Sequence, residues 1–172
     1  IHLDDGQTIY FRDPRKFGRL WLVEDIEPVV GKLGPEALGK ELSPQLFTAI
    51  ITRRKAPVKA LLCDQTVLAG VGNLYASEML HLAAIHPAMR CDRLRPAQWS
   101  ALHAALGDVL RAAIAHEGST LSDGTYRNAL NQQGGYQNCH RVYDRAGEPC
   151  PACRTQGKPG AAHKAQRTGG RC

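Results

Sequence analysis

The sequence contains no apolar run close to the roughly 20 residues that a membrane-spanning helix requires. It also lacks a charged segment followed by an apolar stretch near its start, the pattern of a secretory signal, and it has no internal repeats. From these absences we expect neither a membrane-spanning nor a secreted protein. The 172 residues are 43% hydrophobic and 22% charged, which is typical of a globular protein with one or two modest domains.

A methionine is absent from the first position, and the last residue is a cysteine. Residues 1–12 already follow a strand–turn–strand pattern, with no entry segment before them. The final cysteine lies in what reads as an unfinished motif. We therefore expect this sequence to be a piece of a longer chain, cut at both ends.

Acidic residues are scarce in the last part of the chain. Residues 139–172 contain seven Lys or Arg and only two Asp or Glu, so this segment carries +5 of the total net charge of +6. Clustered positive charge is typical of a surface that binds a polyanion, most often nucleic acid. A solvated basic tail would have the same composition, and charge alone leaves both interpretations open.

Periodicity and turn residues predict a mixture of strands and helices. Residues 7–12 and 19–23 alternate as two strands joined by the turn DPRKFG. Residues 28–44 hold three Pro and three Gly and predict a linker. Ser43 and Pro44 are typical of a helix start. Apolar residues at helical spacing predict helices over 44–54, 74–83 and 97–116.

The strongest metal motif is Cys150-Pro-Ala-Cys153, followed nineteen positions later by Cys172. Two thiolates on one tight turn can bind a tetrahedral zinc ion together, and structural sites pair two such knuckles. A redox CxxC pair and a disulfide are the alternatives. The first prefers a strand–helix junction in a βαβ unit, which the pattern does not show, and the second fits an exported chain.

A second motif is the glycine-rich turn Gly70-Val-Gly72-Asn73, which opens a helix. Asn73 is a natural N-cap, and the free N–H groups of a helix start can bind a phosphate. A basic cluster lies shortly upstream, formed by Arg53, Arg54, Lys55 and Lys59. This cluster favours a phosphate partner, although a plain turn has the same composition.

A third motif is Arg15-Lys16-Phe17 in the predicted turn. A cation and an aromatic ring two residues apart on a rigid loop could insert into a base stack. A surface hairpin with one packed Phe is the simpler interpretation of these three residues alone.

Taken together, these motifs resemble the formamidopyrimidine-DNA glycosylase family along essentially the whole chain. The resemblance rests on six segments in the expected order: DPRKFG at 13–18, LGPEAL at 33–38, DQTVLAGVGNLYASEML at 64–80, GST at 118–120, GEPCPAC at 147–153 and AQRT at 165–168. GVGNLYASE is the most specific of them, because it matches the turn and second helix of that family's helix–two-turn–helix motif.

The resemblance implies DNA-binding roles for several residues. Arg15 and Phe17 match residues that fill the gap left by a flipped base and contact the opposite base. Lys55 and Asn73 match residues that bind phosphate, and Lys59 matches a basic side chain that faces the DNA backbone.

The resemblance also implies roles in the tail. Arg167 matches the zinc-finger arginine that binds phosphate and donates a proton in δ-elimination. Cys150, Cys153 and Cys172 match three of the four ligands of one structural Zn²⁺ ion, with the fourth expected beyond position 172. Gly169, Gly170 and Arg171 depart from the family pattern, which usually has a hydroxyl residue and aromatics there.

The implied activity is removal of oxidised purines from double-stranded DNA, followed by strand cleavage. In this family an N-terminal proline attacks the sugar C1′ and forms a Schiff base. We expect that proline, its neighbouring Glu and a catalytic Lys to precede residue 1, so the chain alone should be inactive. An endonuclease VIII-like enzyme acting on oxidised pyrimidines and a non-catalytic zinc-dependent DNA-binding module are the alternatives.

The expected fold class is therefore α+β. Residues 1–27 would be the end of a catalytic β-sandwich, 28–43 a linker, 44–138 a helix–two-turn–helix domain and 139–172 a zinc finger on a β-hairpin. The resemblance further implies a monomer in the bacterial cytoplasm, associated with the nucleoid.

Overall fold

The structure of the chain, a computed structural model, describes residues 1–11, 13, 16, 18–150 and 152–153. The chain divides into two compact units, Ile1–Gly31 and Lys32–Cys172. Arg15, Phe17, Arg167 and Cys172, all predicted site residues, lie outside the described residues.

The first unit begins with a short hairpin. His2 and Thr8 form an antiparallel bridge, and the N–H of Leu3 donates to the carbonyl of Gln7 at 2.9 Å. Gly6 closes the turn with φ of +80°, a left-handed conformation that favours glycine. The strand–turn–strand pattern expected over residues 1–12 is thus present at its start.

The predicted strands 7–12 and 19–23 were a wrong assignment for the described residues, which form no regular strand in either range. Hydrogen bonds nevertheless join the described residues between these two ranges. Lys16 donates its N–H to the carbonyl of Asp13 at 3.1 Å, and Gly18 donates to the Asp13 carboxylate. A single helical turn, α1 (Glu27–Val30), follows in this unit.

The second unit is helical. Its helices are α2 (Pro44–Ile51), α3 (Val58–Leu62), α4 (Asn73–Leu82) and α5 (Pro96–Ala115). Single turns of 3₁₀ helix occur at Cys91–Arg93 and Tyr136–Cys139. The Ser43 hydroxyl accepts the Leu46 N–H at 3.1 Å, which confirms the predicted start of α2. The helix ends at Ile51, three residues before the predicted end.

The core of this unit lies where α5 packs against α4 and α2. The predicted apolar stripe of α5 is buried along its whole length, at Leu102, Ala105, Leu106, Val109, Leu110 and Ala113. Phe47 of α2 meets Trp99 of α5 edge to face, with ring centroids 6.2 Å apart. These contacts fix α4 and its amino-terminal turn on a rigid base.

The segment at 33–38 packs onto the turn that precedes α4. Gly34 donates its N–H to the carbonyl of Gln65 at 2.8 Å, and Ala69 donates to that of Pro35 at 3.0 Å. Glu36 and Ala69 form a parallel bridge. A side chain at Gly34 would overlap the Val67 backbone, because a Cβ there would lie 2.4 Å from its carbonyl carbon. Much of the predicted linker is therefore part of the helical unit.

Candidate nucleic-acid interface

The turn before α4 is held by the side chain of Gln65. Its Oε1 accepts the N–H of Gly70 at 3.0 Å, and its Nε2 donates to the carbonyl of Val71 at 2.8 Å. Asp64 braces the other end by accepting hydrogen bonds from Thr66 through N–H and hydroxyl. The Thr66 side-chain and backbone hydrogen bonds lower the pKa of the Asp64 carboxyl. Sequence reasoning did not identify Gln65 as the residue that shapes this turn.

The amino terminus of α4 is open. Gly72 is its N-cap, in an extended conformation with φ of −105°, and no side chain caps the helix. The first internal hydrogen bond runs from the N–H of Ala76 to the carbonyl of Gly72. A Cβ at Gly70 or Gly72 would meet no atom within 4 Å. Backbone donors and the positive end of the helix dipole therefore face unoccupied space that an anion could enter.

Asn73 is the first residue of α4, and its predicted role as N-cap was wrong by one position. The N-cap is the residue that precedes the first helical residue, and α4 already begins at Asn73, so Gly72 is the N-cap. The Asn73 side chain is exposed, and the hydrogen bonds of the described residues involve only its backbone carbonyl, which accepts from Ser77. Its amide is therefore available to a ligand at the helix start.

A short antiparallel ribbon brings two basic segments together. Cys91 donates its N–H to the carbonyl of Ala56 at 3.1 Å, and Asp92 donates to that of Arg54 at 3.2 Å. Pro57 and Arg90 form the bridge between them. The exposed cations Arg53, Arg54 and Lys55 thus share a surface with exposed cations from further along the chain, Arg90 and Arg93.

Asp92 is the acidic residue of this ribbon. Its carboxylate accepts a bidentate hydrogen bond from the Arg90 guanidinium, with distances of 3.0 and 2.6 Å. That hydrogen bond, with the charges of Arg90, Arg93 and Lys55, lowers the pKa of Asp92. The ribbon therefore stays strongly positive around one ionised acid. Sequence reasoning missed Arg90 and Arg93 because they follow α4, whereas the predicted cluster follows α2.

Lys59 differs from the other cations because it is buried, with only 7% of its surface exposed. It lies on α3, which packs against α4. Burial lowers the pKa of its amine, and the nearby Cys63 opposes the shift. A desolvated ammonium gains more from a bound phosphate than one already in water.

Glu78 on α4 is fully buried and connects α4 to the start of the tail. Its carboxylate accepts the backbone N–H groups of Arg141, Val142 and Tyr143 at 2.8, 3.0 and 2.8 Å. Three donors satisfy a charge that would otherwise be costly to bury. The sequence offered no signal for this contact beyond an acidic residue inside an apolar helix.

The loop after α5 returns over α4 and α5. Gly118, two residues beyond the C-cap His116, has φ of +83° and donates its N–H to the carbonyl of Ala113 at 2.8 Å. Ser119 Oγ lies 3.0 Å from His140 Nε2, and Thr120 accepts the N–H of Gly134 at 2.9 Å. A cavity of about 430 Å³ lies between this loop, the 33–38 segment and the helices, with Tyr75 and Tyr126 among its walls.

The tail is described only at its start. Cys150 is buried and its sulfur is disulfide-bonded, whereas the Cys153 thiol is free and half-buried. Among the residues that the structure describes, no three His, Cys, Asp or Glu side chains form a group that could hold a metal. In the same part of the chain, no helix is long and apolar enough to span a bilayer.

Comparison with known sequences finds one matching domain family and many relatives. The formamidopyrimidine-DNA glycosylase H2TH domain matches residues 33–125. The formamidopyrimidine-DNA glycosylase of Chloroflexus aurantiacus is 43% identical over 157 residues, covering 90% of this chain and 56% of that protein. That of Thermus thermophilus is 42% identical over 153 residues, covering 87% and 57%. The chain thus spans about half the length of the curated relatives that it matches.

Solved structures agree. The crystal structure of MutM (Fpg) from Thermus thermophilus superimposes with a TM-score of 0.87 at 38% identity, covering 98% of this chain and 64% of that one. A Lactococcus lactis Fpg mutant in complex with Fapy-dG containing DNA gives a TM-score of 0.69 at 34% identity, covering 81% and 48%. The same organism's Fpg in complex with DNA containing an abasic site gives 0.69 at 34% identity.

Proposed function

The chain belongs to the formamidopyrimidine-DNA glycosylase family, and we propose that it serves as the DNA-binding part of a base-excision repair glycosylase. The observation that carries this proposal is the open start of α4. A phosphate could accept hydrogen bonds there from the uncapped N–H groups and from the exposed amide of Asn73. The space beside Gly70 and Gly72 is open enough to admit it. The exposed ribbon cations supply further phosphate contacts.

The direct test is the affinity of the chain for a short DNA duplex, measured by fluorescence anisotropy with and without a lesion. Asn73→Ala should weaken binding about tenfold or more on both duplexes, since a lost hydrogen bond to a charged group is worth about 1.5–3 kcal/mol. Gln45→Ala is the matched control, because Gln45 is an exposed amide in the first turn of α2. An unchanged affinity in Asn73→Ala would remove α4 from the interface.

For the whole protein we propose the removal of oxidised purines with strand cleavage by β,δ-elimination. The support is the family membership and the relative that was solved with Fapy-dG containing DNA. The nucleophile would be the N-terminal proline amine, which displaces the base from C1′ and leaves a Schiff base. Arg167 would bind phosphate and donate the proton in δ-elimination, while Arg15 and Phe17 would fill the space left by the flipped base.

Borohydride trapping on damaged duplex tests this chemistry in the whole protein. Reduction of a Schiff base leaves a covalent protein–DNA adduct, and its absence would favour the non-catalytic DNA-binding module. Comparing 8-oxoguanine with an oxidised pyrimidine separates the purine-directed enzyme from the endonuclease VIII-like alternative. Arg167→Ala should impair lesion processing and leave metal content unchanged.

We also propose a structural zinc ion for the reduced protein, with Cys150, Cys153 and Cys172 among its ligands. Cys150 and Cys153 fit zinc in donor type and spacing, and the buried Cys150 sulfur is shielded from water. Zinc needs these sulfurs as thiolates, so it competes with the disulfide at Cys150. Metal analysis of the reduced chain should find weak, substoichiometric zinc that Cys153→Ser abolishes and Cys139→Ser preserves.

A further inference from the structure

A thiol and an imidazole lie in contact at the carboxyl end of α5. The Sγ of Cys139 lies 3.6 Å from the Nε2 of His116, and both residues are exposed. His116 directly follows α5, and Cys139 ends the 3₁₀ turn Tyr136–Cys139. Neither residue has a part in the DNA contacts or the zinc site proposed above.

The fold holds these two side chains together. Gly135 donates its N–H to the carbonyl of His116 at 2.7 Å, and Tyr136 donates to that of Gly118 at 2.9 Å. The ring of Tyr136 packs near that of His116, with centroids 6.3 Å apart. The turn that carries Cys139 is thus fastened to the end of α5 by backbone and ring contacts.

The other free thiols of the described residues are in less reactive surroundings. Cys91 is fully buried, and burial raises its pKa to about 11. Cys63 is half-buried, and burial raises the pKa of its thiol as well. Cys153 is half-buried, and Cys139 is the exposed member of this set. Thiol reactivity requires both access and a means of losing the proton, and Cys139 has an imidazole in place to accept it.

We propose that Cys139 is a site of reversible S-thiolation by low-molecular-weight disulfides, with His116 as the base that takes the thiol proton. The Cys139 thiolate attacks one sulfur of the disulfide, so a mixed disulfide forms while the original S–S bond breaks. The leaving thiolate then receives the proton from the His116 imidazolium. The negative end of the α5 dipole stabilises that transient cation.

The position gives the modification a structural consequence. Cys139 lies two residues before Arg141, the first of the three residues whose N–H groups bind Glu78. His140, between them, packs against the rings of Tyr136 and Tyr143. An adduct on Cys139 therefore adds bulk at the junction between the helical unit and the tail.

The experiment treats the reduced full chain with oxidised glutathione and follows each cysteine by peptide mass spectrometry. Cys139 should acquire the adduct at least about tenfold faster than any other described free thiol, since access and a general base both accelerate the step. Dithiothreitol should reverse it. His116→Asn should slow Cys139 about fivefold or more while the rate at Cys63 stays unchanged.

Two controls make the result decisive. His103→Asn replaces a histidine within α5, whose Nε2 lies near the Leu42 carbonyl, and should leave the Cys139 rate unchanged. His116→Gln repeats the test should His116→Asn lose its native circular dichroism. The proposal is overturned if Cys63, Cys91 or Cys153 takes the first adduct, or if a folded His116 variant reacts like the parent chain. Neither DNA nor zinc enters the assay, so its result is independent of the function proposed above.

Discussion

The buried carboxylate of Glu78 accepts hydrogen bonds from three backbone N–H groups in place of water. These groups belong to consecutive residues 63 to 65 positions further along the chain. Peptide N–H groups in an irregular segment need partners when they are buried, and a carboxylate needs donors. Here the Glu78 carboxylate and the three N–H groups satisfy each other. The start of the tail is therefore ordered by one side chain of α4 instead of by strand pairing.

Glu78→Gln should destabilise the folded chain by about 2–3 kcal/mol, because the amide is uncharged and its NH2 group would face an N–H donor without accepting a hydrogen bond. Urea unfolding followed by circular dichroism measures the change. Glu41→Gln, at an exposed acidic position, should stay within about 0.5 kcal/mol of the parent. Equal stability of the two variants would mean that the Glu78 hydrogen bonds form equally well without the charge.

His140 makes stability depend on pH. Burial lowers its pKa from the ordinary 6.5, against the opposing charges of Glu78 and Asp144 and in the same direction as Arg145. His140 therefore takes up a proton near pH 6.5 in the unfolded chain but only at lower pH in the folded chain. The free energy of unfolding falls as the pH drops below 6.5, because protonation favours the unfolded chain. Above that pH the contribution is fully present.

The urea midpoint measured at a pH of about 7.5 and again at about 5.5 tests this linkage. The parent chain should lose stability between the two, and His140→Gln should lose less, because glutamine does not titrate and can still bond Ser119. Parallel losses in both proteins would assign the pH dependence to other groups.

At the scale of elements, the two glycines of the turn before α4 differ in backbone conformation and not in the space around them. Gly70 has φ of +89°, whereas Gly72 has φ of −105°, and neither has an atom within 4 Å of its would-be Cβ. Gly70→Ala should cost about 1–2 kcal/mol of stability, because an L side chain strains the left-handed region.

Gly72→Ala is the matched variant. It should cost less stability than Gly70→Ala, while its methyl group occupies the open space beside the start of α4 and weakens DNA binding several-fold. Thermal unfolding and fluorescence anisotropy on the same two variants separate the effects. If Gly72→Ala bound DNA like the parent, the phosphate would have to lie elsewhere on the turn.

Local patterns in the sequence predicted α5 to within one residue at each end and the cap of α2 by its residue type, because caps and helical spacing act over a few positions. The position of Asn73 in its helix was wrong by one residue, and the strands predicted over 7–12 and 19–23 are absent from the described residues. Gln65, Glu78 and the ribbon of Arg90 and Arg93 were missed for a different reason. Their partners lie far along the chain or are backbone groups, and neither leaves a local signal.

At the scale of the whole molecule, charge is the property that the fold organises. The sequence has a pI of about 9.2, and the predicted basic segments were the tail and the cluster Arg53, Arg54, Lys55 and Lys59. Within the described residues the ribbon joins three cations of that cluster to Arg90 and Arg93, and Arg90, Arg93 and Lys55 act on the Asp92 carboxylate. Such a surface attracts a polyanion through counterion release, whatever the base sequence.

DNA binding by this chain should therefore weaken steeply with salt, and the ribbon should account for a measurable part of the slope. Each phosphate neutralised contributes about 0.9 to the slope of log K against log salt concentration on duplex DNA. Arg90→Gln with Arg93→Gln should reduce that slope by about 1 to 2 and lower affinity on damaged and undamaged duplex alike. Arg111→Gln, at an exposed position on α5, removes one charge away from the ribbon segments and should leave the slope unchanged. A slope that depended only on net charge would make all the variants differ in proportion to the charges removed, and the ribbon would then be a solvated surface without a place on the DNA.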